Sequence, residues 1–143
     1  MLLVACGTSG EPMNGDITLM YGDSSPKLIV GAAVEATDAP GQMLVEMGDD
    51  NVDCDTNFSQ LSFGVSGTFV YFSVDATTPS AQSDLFVTVL RSSSNHLSSN
   101  STDGTVTIDT VSPRVTGSIM FETTDNDVGP ITVNGSFDVK RCF

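Results

Sequence analysis

Side-chain alternation with a period of two narrows the fold of this chain more than any other property. Met43, Val45 and Met47 share one side of Gln42–Met47, and Val115, Gly117, Ile119 and Phe121 share one side of Arg114–Thr123. In Ile131–Arg141 the same spacing collects Ile131, Val133, Gly135, Phe137 and Val139. Successive side chains of a strand point to opposite faces, so this spacing fits half-buried strands and not helices. No convincing helical spacing competes with it anywhere in the chain.

Six further strands are expected at Asp16–Tyr21, Lys27–Ala36, Gln60–Val65, Thr68–Asp75, Asp84–Arg91 and Gly104–Thr110. Leu28, Val30, Ala32 and Val34 are in phase in the second, with Gly31 and Ala33 permitting close approach on its other side. Thr68–Asp75 and Asp84–Arg91 are apolar on both faces, which requires a central position or a covering loop. Turn clusters stand at Gly22–Pro26, Asp38–Gly41, Thr77–Ser83 and Thr124–Pro130, and Ser92–Asp103 reads as a long exposed loop. Eight or nine strands so spaced predict an all-β, antiparallel β-sandwich, immunoglobulin-like or jelly-roll-like, with a β-barrel as the alternative. The sandwich is favoured because two strands want cover on both sides. The chain of 143 residues, 39% hydrophobic and 16% charged, suffices for one such domain over residues 16–143.

Charge limits the partners. The net charge is −13, and the basic residues are Lys27, Arg91, Arg114, Lys140 and Arg141. Five scattered cations build no basic patch, so nucleic acid and anionic membrane surfaces are excluded as charge-driven partners. The acidity fits a solvated exported domain.

Leu3-Val4-Ala5-Cys6 resembles the lipobox of bacterial exported lipoproteins, in which the cysteine is lipidated. The resemblance covers only residues 1–6, read as the end of a signal peptide; the basic and apolar regions of a full leader are expected upstream of Met1. It implies export, a lipid anchor at Cys6 as the sole membrane contact, and an outer-membrane or cell-surface location. Residues 7–15, Gly7–Gly15, are rich in Gly, Ser and Pro and read as a flexible tether. With Cys6 lipidated, Cys54 and Cys142 remain as a pair, and a disulfide between them is expected in an oxidising compartment. Closing a loop of roughly 90 residues stabilises by at most about 4–5 kcal/mol on the loop-entropy model. Alternation to the end of the last strand turns Cys142 away from the core, so the bond is expected as a peripheral clasp.

Candidate chemistry is sparse. Asp49, Asp50, Asp53, Asp55 and Asn57 crowd around Cys54, and Asp53-x-Asp55-x-Asn57 has the oxygen spacing that opens many calcium loops. Phe58 stands where an EF-hand needs Gly, and Gly64 where it needs Glu, so that motif fails. A looser calcium site there, or a second at Asp125 and Asp127, is set against a solvated turn in which Asp caps the backbone. Otherwise no cofactor is expected. His96, the one histidine, lies in the serine-rich loop; a catalytic triad there would also need an orienting carboxylate and an oxyanion hole, and no GxSxG occurs. A glycan platform would use exposed Trp or Tyr, whereas Trp is absent and Tyr21 and Tyr71 both occupy core-like positions. The reading that follows is a non-enzymatic, lipid-anchored envelope β-protein acting as a structural or binding module. A calcium- or glycan-binding accessory domain and a hydrolase using the His96 loop are the alternatives.

Overall fold

The computed structural model describes residues 10–35, 41–55, 67–91, 104–142 and the backbone of 96–99. The expected strand Gln60–Val65 lies outside the described residues, as do Cys6, Asn57 and Phe143. The architecture is all-β: ten strands in one mixed sheet, nearly closed and barrel-shaped. They are β1 (Thr18–Tyr21), β2 (Val30–Glu35), β3 (Gln42–Gly48), β4 (Thr68–Asp75), β5 (Ser80–Leu85), β6 (Val87–Arg91), β7 (His96–Ser99), β8 (Gly104–Thr110), β9 (Arg114–Asp125) and β10 (Gly129–Arg141). No helix occurs among the described residues.

The ring follows from the pairings. β2, β3 and β4 form an antiparallel meander, and β4 continues onto β6 through Phe72 opposite Val87. β5 and β6 are one strand interrupted at Phe86, and β7 and β8 run antiparallel along it, with Leu90 opposite Leu97 and Ala81 opposite Thr107. β8 pairs β9 and β9 pairs β10. At Lys140 and Arg141, β10 meets β2 in parallel and returns the sheet to its start. Ser92–Asp103, expected as an exposed loop, therefore contributes an edge of backbone pairing at His96–Ser99, and the expected turn Thr77–Ser83 contains the start of β5.

The β10–β2 seam is short, and the N-terminal segment fills it. Thr18–Tyr21 pairs with β10, and Asn14 continues that register opposite Asp138. Met13 N donates to Ile29 O (3.1 Å), Gly31 N to Glu11 O (2.9 Å) and Glu11 N to Val52 O (2.8 Å). Gly135 in β10, at φ 132°, lets the segment pass with Ile17 Cα 3.0 Å from where a Cβ would stand. Lys140 Nζ pairs with Glu11 Oε1 at 3.1 Å, and Arg114 Nη2 donates to Pro12 O at 3.5 Å. Residues 10–15, expected within a flexible tether, are thus strapped to the wall.

The interior holds the predicted faces of β3, β4, β8, β9 and β10, and Phe72 meets Phe137 edge-on across it at 5.8 Å. β2 keeps the expected phase but turns its small-residue face inward. In β2, Ala33 faces the interior, while Val30 and Ala32 face outward into a second cluster with Val52, Phe69 and Cys142. The interior beside β2 is already full: a Cβ on Gly31 would stand 2.8 Å from Val139 Cγ1 and 2.9 Å from Glu46 O. Small residues therefore face in, and the large ones are covered from outside by the loop after β3.

Candidate functional site

The loop that follows β3 begins with Asp49, whose N donates to Thr68 O (3.2 Å) and whose Oδ1 accepts from Thr68 N (3.1 Å). Its apolar member, Val52, is fully buried against Phe69. Cys54 bonds Cys142 with a Cα–Cα distance of 5.5 Å across a separation of 88 residues, and Cys142 N donates to Ala33 O (2.8 Å). The bond lies outside the barrel interior, as the strand parity requires. It is nonetheless buried on the Cys142 side, within a core of its own, where a peripheral clasp was expected.

The acidic side chains of this loop serve their neighbours' backbone. Asp50 Oδ1 accepts from Asn51 N (2.9 Å), and Asp53 Oδ1 from Asp55 N (2.9 Å). At the β9–β10 turn, Asp125 Oδ1 accepts from Asp127 N (2.7 Å) and Val128 N (3.1 Å). These are the caps expected of Asp in turns. Among the described residues, no three His, Cys, Asp or Glu side chains come together as metal ligands. His96 has its backbone on β7, paired with Arg91.

A different site emerges on the outer wall, where β4 parts from the strand after it. Phe72 opposite Val87 is the last β4–β6 pair; beyond it β5 turns to β8. A register shift falls between Gln82 and Leu85, with Asp84 in the left-handed region at φ 59°. Phe86, between β5 and β6, stands 56% exposed. Next to it lies a half-open cavity of about 170 Å³ lined by Leu44, Tyr71, Phe72, Ser73, Phe86 and Thr88. The Gln82 side chain spans the opening further along: its Nε2 donates to Asp75 O (2.7 Å) and its Oε1 accepts from Asp75 N (2.9 Å). A side-chain amide thereby replaces the missing backbone rung and fixes the gap at that end. Asp75 is in turn held by Thr77, whose hydroxyl and backbone N–H both donate to Oδ1 (2.6 and 3.0 Å) and keep its carboxyl below the ordinary aspartate range.

Tyr71 was expected in the core; it is half-buried and lines this cavity, whereas Tyr21 is buried as expected. The signal for the site was present as apolar residues on both faces of Thr68–Asp75 and Asp84–Arg91. Covering accounts for Phe69, and the cavity accounts for Tyr71 and Phe86. Glu46, completely buried between Ala32 and Tyr71 on the outer side of β3, gave no such signal, because one Glu in an alternating strand reads as solvent-facing.

Against known proteins, no family model matches the chain, and no similar curated protein or solved structure is found.

Proposed function

We propose that this chain is an exported, lipid-anchored bacterial envelope protein that works by binding and not by catalysis. The observation that supports this most is the Cys54–Cys142 pair, which takes two of three cysteines and leaves Cys6, at the end of the lipobox-like run, as the odd one. A bond that ties two buried apolar surfaces is stable where thiols are kept oxidised. The anchor is tested by expressing the gene with its upstream sequence in a bacterial host and weighing the protein from the envelope fraction. A diacylated Cys6 at the mature N-terminus, and release of Cys6→Ser into the soluble fraction, are the expected results. A free Cys6 thiol on protein in the soluble fraction sinks the proposal.

A further inference from the structure

We propose that the opening in the wall at Tyr71 and Phe86 is a subsite for one neutral sugar ring, at the end of a glycan or within it. This deepens the binding role proposed above and rests on it, but not on the lipid anchor. Three observations converge. The wall is built open here: the β4–β6 ladder stops at Phe72–Val87, Asp84 holds a left-handed backbone, and the Gln82 amide pins the far side. Bulges and strained residues of this kind persist where the surrounding structure holds them, and they gather beside functional sites. The cavity is small, about 170 Å³, below the roughly 300–1,000 Å³ of pockets for drug-sized ligands. It therefore takes one ring-sized unit.

The lining selects the chemistry. Phe86 and Tyr71 offer aromatic rings, whose electron-rich faces attract the polarised C–H face of a pyranose. Ser73 and Thr88 offer hydroxyls, each able to donate and to accept, as sugar hydroxyls require. Among the described residues no charged side chain lines the cavity, so neither an anion nor a cation finds a counter-charge among them. A purely aliphatic ligand would leave those hydroxyls unmatched, at a cost. Phe86, over half exposed beside a fixed opening, is the contact a sugar would bury.

The test uses the full, oxidised, unlipidated chain in solution, so that failure of the anchor does not affect it. Methyl β-glucopyranoside and N,N′-diacetylchitobiose are titrated while backbone amide shifts are followed. The expected result is a saturable response with a millimolar Kd, confined to residues 71–73 and 86–88. Phe86→Ala should weaken it at least about tenfold with the melting temperature unchanged. Phe86→Trp should keep it and report it by fluorescence, since the native chain has no Trp. Absence of a response at these residues with both sugars overturns the proposal. So does a response that survives Phe86→Ala, or a stronger one to choline chloride, which would mark a cation cage.

Discussion

Gly31 marks a close approach inside the barrel. Its missing Cβ lets Val139 and the Glu46 carbonyl close in on β2. Gly31→Ala should therefore destabilise the protein by about 1–3 kcal/mol, as overpacking does, measured as a lowered denaturant midpoint with an unchanged slope. Tyr21 makes the opposite case. Its hydroxyl is buried with no hydrogen-bond partner among the described residues, while Arg91 lies over its ring at 5.4 Å. Tyr21→Phe keeps the ring and removes the unmatched oxygen, so stability should stay level or rise by up to about 1 kcal/mol. Asp75 gives a pH signature. Thr77 holds its folded pKa below the unfolded value, so its contribution is present above the ordinary aspartate range and is lost as pH falls through the lower, folded value. An NMR titration should show the Asp75 midpoint below that of an unstructured Asp, and Thr77→Ala should raise it.

At the scale of elements, the disulfide loop is a small core attached to a larger one. Val30, Ala32, Phe69 and Val52 depend on it for cover, whereas Ile119, Phe121 and Val133 lie in the interior and do not. Reduction, or Cys142→Ser, should cost at most about 4–5 kcal/mol. Amide exchange should rise first at the Cys142–Ala33 contact and around Val52, with β9 and the middle of β10 still protected. Simultaneous loss of protection in β9 would contradict this division. The same loop explains what the sequence could and could not disclose. Strands β3, β8, β9 and β10 face one core, so alternation alone predicts their inward residues. β2 lies between two apolar environments, and its large residues turned out to face the outer one. Alternation gives a phase but not which face is the interior; that depends on Val139 and on a loop distant in sequence. Likewise, β5 and β6 follow one alternation, yet a change of partner at Phe86 divides them.

For the whole molecule, the strap and Phe86 lie on opposite sides of the ring. From the β10–β2 seam, the strand containing Phe86 is reached in three steps either way: β3, β4 and then β5/β6 from β2, or β9, β7/β8 and then β5/β6 from β10. Only three residues separate Cys6 from Gly10, the first described residue of the strap, four steps with a reach of about 14 Å. Under the proposed anchor, the seam wall is held near the bilayer and Phe86 faces away from it. Coupling a maleimide lipid to Cys6 of the oxidised chain tests this on vesicles containing brominated lipid. Tryptophan fluorescence should be quenched strongly for Pro12→Trp and weakly for Phe86→Trp; equal quenching would exclude a fixed orientation.

The mooring of the strap has one more consequence. Gly10 pairs with Val52, and Cys142 is bonded to Cys54, so the two ends of the described chain dock two positions apart in one loop. The backbone path is close to a closed circle, and its order of threading is nearly arbitrary. A circular permutant that links these ends and opens the chain at residues 126–128 should fold to the same barrel.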